Sequence, residues 1–147
     1  MEIVKIDTGK KDYLDLLLIA DEQEDMIDRY LESGDMYALY DGGLKGVCVV
    51  TKESEDVCEL KNIAVYEQFR GKGYGKAMVR GLFEKYESTF KTMLVGTGDI
   101  PFIVGFYKNC GFEYSHKIKN FFTDNYEKPM FEDGIKLIDM VYYKKEI

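Results

Sequence analysis

The spacing of apolar residues divides the chain into helices and strands. Apolar residues that recur every three or four positions predict helices at 12–20, 24–31, 74–87 and 101–109. Alternating patterns or short apolar runs predict strands at 2–7, 36–40, 44–51, 57–65, 92–96, 112–119 and 135–143. The predicted order is β-α-α-β-β-β-α-β-α-β-β, which describes a mixed chain of helices and strands.

Glycine-containing segments separate these elements. Asp41-Gly42-Gly43 suits a tight hairpin turn between two strands, and Gly111 marks the end of a helix. Residues 121–134 are rich in aromatic side chains and are predicted to form a loop. The sequence has no internal repeat, and a length of 147 residues corresponds to one domain over residues 1–147.

Composition narrows the class of protein. Apolar residues make up 46% of the chain and only two residues are proline, as in a globular protein. Cys48, Cys58 and Cys110 are widely spaced, so they favour a reducing cytoplasm over a disulfide framework or a zinc site. The N-terminus lacks the pattern of a signal peptide and no apolar run is long enough for a membrane span, so we expect no membrane partner.

Charge favours one kind of partner over another. The chain carries 27 acidic and 20 basic residues, which gives a net charge of −7. Such a surface repels a nucleic-acid backbone and attracts a cationic amine. We therefore expect no nucleic-acid partner.

The segment 68–76 has the opposite local charge and is the strongest functional signal. Its three basic residues are interleaved with glycines at 71, 73 and 75, and the segment leads into the helix predicted at 74–87. Glycines allow close approach to the backbone, and the first N–H groups of a helix attract anions. The segment does not match the P-loop, because Ala77 follows Gly75-Lys76, and its G-x-G-x-G spacing does not match the dinucleotide fingerprint.

The pattern that remains is R-x-x-G-x-G, formed by Arg70, Gly73 and Gly75 after the apolar strand 57–65. It resembles the acetyl-CoA signature of the GNAT superfamily of N-acetyltransferases. The resemblance implies an α/β (α+β) fold, with a central mixed, mostly antiparallel sheet flanked by helices. It also implies acetyl-CoA as co-substrate, bound between strand 57–65 and the strand at 91–97, with no metal.

The resemblance also assigns residues to the cofactor. The backbone of Ile63, Ala64 and Val65 would hydrogen-bond the pantetheine arm like an added strand, opened by a β-bulge. The diphosphate would lie on the basic glycine segment, whose residues are Arg70, Gly71, Lys72, Gly73, Tyr74, Gly75 and Lys76. One position departs from the pattern, because Ile100 stands where many relatives carry an asparagine that contacts the cofactor.

A second segment, 105–112, resembles the family's other acetyl-CoA motif. There a tyrosine near the helix end commonly protonates the departing thiolate, and Tyr107 takes that position. The pKa of a phenol, about 10, is close enough to that of a thiol, about 8.5, for such a proton transfer.

The acceptor amine must lose a proton before it attacks. Glu59 matches the glutamate base of the histone-acetylating branch, and Asp139 on the last strand is an alternative. A carboxylate is a weak base, so Glu59 would act through water or with a pKa raised by burial. The single histidine, His116, and Cys110 lack the partners needed for a triad or for an acylated thiol, and both fit structural roles better.

The aromatic segment is a candidate lining for the acceptor pocket, with acidic residues that attract a cation; an aromatic flap over the core explains it equally well. The residues concerned are Phe121, Phe122, Tyr126 and Phe131 with Asp124, Glu127, Glu132 and Asp133. The sequence thus predicts transfer of an acetyl group from acetyl-CoA to a primary amine of a small molecule or peptide, by direct attack in a ternary complex. The alternatives are a non-catalytic acyl-CoA sensor and a transferase that uses a longer acyl-CoA. An exposed strand edge near the C-terminus would allow a homodimer.

Overall fold

The structure, a computed structural model, describes residues 1–147. The strands are β1 (Glu2–Ile6), β2 (Asp35–Tyr40), β3 (Leu44–Lys52), β4 (Val57–Val65), β5 (Thr92–Gly98), β6 (Glu113–Ile118), β7 (Phe131–Glu132), β8 (Ile135–Lys136) and β9 (Met140–Glu146). The helices are α1 (Leu14–Ala20), α2 (Glu24–Asp28), α3 (Tyr74–Tyr86), α4 (Pro101–Asn109) and α5 (Phe121–Asn125). Short 3₁₀ turns precede α1 at Lys10–Tyr13 and follow β4 at Glu67–Phe69.

Seven strands form one sheet in the order β1-β2-β3-β4-β5-β9-β6. Every neighbouring pair is antiparallel except β4 and β5, which are parallel. The predicted class, a mixed and mostly antiparallel sheet flanked by helices, is confirmed. β7 and β8 form a separate hairpin.

Apolar side chains on both faces of the sheet hold the helices. On one face, α3 buries Met78, Val79 and Leu82 in the same cluster as Val104 of α4. On the other face, α1 and α2 bury side chains in a second cluster. Because each helix is apolar along one stripe only, the sheet between them supplies the surface that both layers need.

Most predicted elements agree with the structure to within a few residues, and β4 agrees at both ends. The prediction is wrong for the C-terminal part. The last strand begins at Met140 and not at 135, and the predicted loop 121–134 contains helix α5 and part of the β7–β8 hairpin. The apolar residues of this region, including Leu137, pack into a small third cluster with Ile100 and do not extend a strand.

The two parallel strands at the centre of the sheet separate along their length. β4 and β5 are paired only from Val57 to Leu60 and from Thr92 to Val95. The register between β3 and β4 also shifts at this point, because Val49 pairs with Asn62 and Val50 with Leu60, which leaves Lys61 as a bulge residue. A bulge increases local twist, so the C-terminal half of β4 diverges from β5 and opens a gap in the sheet.

Candidate functional site

The gap between β4 and β5 is the floor of a cleft with a volume of about 810 Å³. Residues 60–65 of β4 and 96–98 of β5 line its centre. One end is lined by the glycine segment and α4, and the other by residues that follow α1 and by the C-terminal segment around α5. The cleft therefore places the glycine segment, the separated strands and the C-terminal segment around one space.

The glycine segment presents unpaired backbone amides to one end of this cleft. Gly71 and Gly73 have φ values of +76° and +86°, a region that side-chain-bearing residues rarely adopt. No amide from Gly71 to Lys76 donates a hydrogen bond within the chain; the first that does is Ala77, which donates to the Gly73 carbonyl oxygen at 3.0 Å. Since the positive end of the α3 dipole lies at the same place, the segment is suited to a diphosphate.

The third glycine of the segment allows close packing. A Cβ atom at Gly75 would lie only 3.2 Å from the ring of Phe106 in α4. The absence of that atom lets the start of α3 lie close to α4, and both residues line the cleft. Gly71 and Gly73 thus adopt left-handed backbone conformations, and Gly75 allows α3 to lie close to α4.

Almost all of the residues predicted to bind the cofactor lie together on this part of the cleft. Those that line it are Ile63, Ala64, Val65, Arg70, Gly71, Gly73, Tyr74, Gly75 and Lys76. Lys72 does not line it; its side chain is exposed, with Nζ 5.8 Å from the Phe69 ring. Arg70 is also exposed and its Nε donates to the Val65 carbonyl oxygen at 3.4 Å.

Tyr107 lies in α4 with its side chain buried against Phe106 and Phe112. It lines the cleft, and its hydroxyl makes no hydrogen bond with another group of the chain. Burial raises the pKa of this phenol, and the nearby Cys110 adds to the effect. Because this hydroxyl is protonated and has no partner, it can donate a hydrogen bond to a bound ligand.

Ile100 is the N-cap residue of α4, but its apolar side chain makes no capping hydrogen bond. It is almost fully buried, at 1% exposed, and packs with Phe122 and Leu137 while lining the cleft. The position where relatives use an asparagine is therefore part of the apolar packing here.

Glu59 does not line the cleft. Its carboxylate is 3.0 Å from the ammonium group of Lys61 and the residue is 6% exposed. Burial raises the pKa of Glu59, and the charge of Lys61 opposes that shift. Asp139 is likewise away from the cleft, where it accepts a hydrogen bond from the Asn120 amide at 2.9 Å. The geometry therefore gives neither predicted base direct access to an acceptor, and their role stays a prediction.

The far end of the cleft contains a chain of polar groups that the sequence analysis did not predict. The Nδ2 group of Asn62 donates to the Tyr30 hydroxyl oxygen at 3.1 Å, and that hydroxyl donates to Asp21 at 3.2 Å. The Tyr126 hydroxyl donates to the other oxygen of Asp21 at 2.7 Å. Burial raises the pKa of Asp21, and its bonds from Tyr126 and Tyr30 oppose the shift. In the sequence these residues are far apart, and no motif connects them.

The aromatic segment contributes only in part to the predicted acceptor pocket. Phe122, Tyr126 and Glu132 line the cleft, together with Asp21 and Glu22 from the other side. The other predicted residues do not line it, namely Phe121, Asp124, Glu127, Phe131 and Asp133. Burial raises the pKa of Glu132, and the charge of Glu22 adds to the effect.

The other two residues considered as catalytic candidates, His116 and Cys110, lack the surroundings of a catalytic group. His116 is stacked on Tyr142 with ring centroids 4.6 Å apart, outside the cleft. Cys110 lines the cleft, but burial raises the pKa of its thiol, which makes it a poor nucleophile.

The chain has no group of three or more metal-ligating side chains placed to hold an ion. None of its helices has the length and apolar character needed to cross a bilayer.

Known proteins are similar to this chain in sequence and in fold. Residues 32–114 match the family model for the GNAT acetyltransferase domain. The uncharacterized N-acetyltransferase YvbK of Bacillus subtilis is 36% identical, over 96% of this chain and 95% of YvbK.

Two solved structures contain ligands. A GNAT family acetyltransferase from Elizabethkingia anophelis, solved with acetyl-CoA bound, has a TM-score of 0.93 and 34% identity, over 99% of this chain and 97% of that one. A Bacillus subtilis acetyltransferase solved in complex with CoA has a TM-score of 0.92 and 34% identity, over 99% and 98% of the two chains.

Proposed function

Because the chain belongs to the GNAT family of acetyltransferases, we propose that it transfers the acetyl group of acetyl-CoA to a primary amine. The acceptor is a cationic small molecule or peptide, and its nitrogen attacks the thioester directly while both substrates are bound. No covalent acetyl-enzyme is needed, and burial raises the pKa of the one thiol on the cleft wall, Cys110, which makes it a poor nucleophile.

The observation that carries this proposal is the meeting of three features in one cleft. Unpaired amides from Gly71 to Lys76 lie at one end, the separated strand β4 lies at the centre, and the unpartnered hydroxyl of Tyr107 lies beside them. A diphosphate, an extended amide-containing arm and a leaving sulfur are the three parts of acetyl-CoA that these features suit.

We assign the diphosphate to the glycine segment and the pantetheine arm to the free edge of β4. The arm contains amide groups, so it can hydrogen-bond to the backbone of Ile63, Ala64 and Val65 as an added strand would. A backbone N–H group at this edge would also stabilise the oxyanion that forms on the thioester carbonyl. Arg70 and Lys76 add positive charge near the phosphates.

We assign the role of general acid to Tyr107. When the C–S bond breaks, the electron pair goes to sulfur, and the phenol donates its proton to the thiolate as CoA leaves. The new N–C bond leaves an extra proton on nitrogen, and that proton restores the phenol. The proton that the acceptor ammonium gives up before attack goes to a separate base.

Release of CoA thiol tests the proposal. The purified protein should bind CoA in calorimetry and should release thiol from acetyl-CoA only when a suitable primary amine is added. If the protein binds CoA but no amine in a broad panel produces thiol and an acetylated product, a non-catalytic acyl-CoA sensor explains the fold better. If CoA does not bind, the assignment of the glycine segment is wrong.

A further inference from the structure

The strongest unexplained feature of the cleft is an orphan oxygen on β4. Asn62 is 3% exposed and lines the cleft, and its Oδ1 has no hydrogen-bond partner within the chain. Both hydrogens of its Nδ2 are used, one for the Leu17 carbonyl oxygen at 3.0 Å and one for the Tyr30 hydroxyl oxygen at 3.1 Å. Because the Leu17 carbonyl can only accept, the amide cannot be flipped, and Oδ1 stays an acceptor without a donor.

The same set of bonds fixes the direction of every proton up to Asp21. The Tyr30 hydroxyl accepts from Asn62 and so donates its own hydrogen to Asp21, and the Tyr126 hydroxyl donates to the second carboxylate oxygen. A carboxylate can accept about four hydrogen bonds, so Asp21, which accepts from Tyr30 and Tyr126, has capacity for further donors.

We propose that the acceptor's primary ammonium group binds between Asp21 and Asn62 Oδ1, and that the acceptor carries this group on an apolar alkyl or aryl body. This inference rests on the proposed acetyl transfer and identifies the class of its acceptor. An ammonium group supplies three donors and a positive charge, which are what the orphan oxygen and the carboxylate lack. Both residues line the same cleft as the separated end of β4, where the thioester is assigned.

We infer the apolar body of the acceptor from the side chains around the proposed ammonium site. The walls of this end of the cleft are apolar or aromatic, and include Ile19, Phe122, Met130, Leu137 and Met140. Lys61, the basic residue of β4 in the lining, is bound to Glu59. Glu22 and Glu132 add negative charge to the lining, so a carboxylate attached next to the amine would be repelled.

Asp21 also provides the missing base. The ammonium gives one proton to Asp21, and the freed lone pair on nitrogen attacks the thioester carbon. The N–C bond forms, the C–S bond breaks, sulfur takes the Tyr107 proton, and the remaining extra proton on nitrogen returns to Tyr107. Asp21 then loses its proton to solvent, so the overall reaction releases the amide, CoA thiol and one proton.

A comparison of three candidate amines as substrates of the unaltered protein tests the proposed class of acceptor. We expect 2-phenylethylamine to be acetylated with a kcat/KM about tenfold or more above that of spermidine, because the walls are apolar, and L-phenylalanine to be a poor acceptor because of its carboxylate. Equal or better use of spermidine or L-phenylalanine would overturn the class.

Substitution of Asp21 tests the binding group. Asp21→Asn should raise KM for 2-phenylethylamine about tenfold or more, since a charged hydrogen bond to the ammonium is lost, and should lower kcat about 10²-fold, since the base is lost. CoA binding in calorimetry should be unchanged. Asp35→Asn is the matched control, because Asp35 is also a carboxylate that accepts a tyrosine hydroxyl, from Tyr86 at 2.7 Å, and it lies outside the cleft. If Asp21→Asn acetylates amines as the unaltered protein does, this inference fails and the transferase stands; if the unaltered protein binds CoA but acetylates no amine, the transferase itself fails.

Discussion

The Tyr126 hydroxyl donates a 2.7 Å hydrogen bond to Asp21, which lies 105 residues earlier in the chain. This bond joins the segment that follows α5 to the end of α1. The Arg29 side chain reinforces the connection by donating to Asn125 Oδ1 at 3.4 Å. The C-terminal segment is therefore held over one end of the cleft and forms a wall of the proposed acceptor site.

Replacement of Tyr107 by phenylalanine should separate turnover from binding. We expect kcat to fall by about 10²-fold, because a general acid typically contributes at least that much. Binding of CoA and thermal stability should be unchanged, since the hydroxyl makes no hydrogen bond within the chain. Thiol release and calorimetry on the same preparation provide both measurements. Tyr114→Phe, at an exposed position outside the cleft, is the control; equal turnover in the two variants would exclude Tyr107 as the acid.

Replacement of Gly73 by alanine should weaken CoA binding beyond its effect on folding. A residue with a Cβ in the left-handed region costs about 1–2 kcal/mol. Gly42 offers a matched comparison, because its φ is +65°, an added Cβ would meet nothing within 4 Å, and it does not line the cleft. Gly73→Ala and Gly42→Ala should lose similar stability in denaturant unfolding. Only Gly73→Ala should also lose CoA affinity, and equal affinity in both would show that the diphosphate lies elsewhere.

Replacement of Glu59 by glutamine tests whether Glu59 or Asp21 is the base that deprotonates the acceptor. Because Glu59 pairs with Lys61 and does not line the cleft, we expect kcat to stay close to that of the unaltered protein. A fall of about 10²-fold or more in kcat, with KM for the amine unchanged, would instead support Glu59 as the base, acting through water. The pH profile of kcat/KM, measured for both proteins, adds an independent comparison.

The pH dependence of stability reports on the burial of Asp21. Burial raises the pKa of Asp21 in the folded protein above the ordinary value of about 3.9, so the folded state holds this proton more tightly than the unfolded state. The resulting stabilisation is present below the ordinary pKa and is lost as the pH rises through the folded pKa. Asp21→Asn removes the titration. Its free energy of unfolding should therefore increase relative to the unaltered protein as the pH rises from about 4 towards 7. Parallel urea-unfolding midpoints for the two proteins over this range would contradict the expectation.

The local features of the cofactor end could be predicted from sequence, because they depend on neighbouring residues. The spacing of Gly71, Gly73 and Gly75 encodes two unusual backbone conformations and one close contact, and the helix after them follows from apolar periodicity. The fold class was predictable for the same reason, since each strand and helix has its own pattern.

The acceptor end was not predictable in the same way, because it depends on contacts between distant segments. Asp21 is an ordinary polar residue after a helix, and only the fold brings it to Tyr126 and Asn62. The β-bulge in β4 was expected from the resemblance, but its position at Lys61 could not be read from an apolar run. The sequence predicted that Glu59 lies on a strand, but it could not show that the Glu59 carboxylate forms an ion pair with Lys61.

The separation of β4 from β5 leaves the centre of the sheet incomplete. An extended ligand that fills this position binds only the folded state, and it lowers the fraction of unfolded molecules by mass action. Proteases remove mainly the molecules that unfold, so bound acetyl-CoA would lengthen the lifetime of this protein. The concentration of acetyl-CoA would then influence the amount of enzyme as well as its rate.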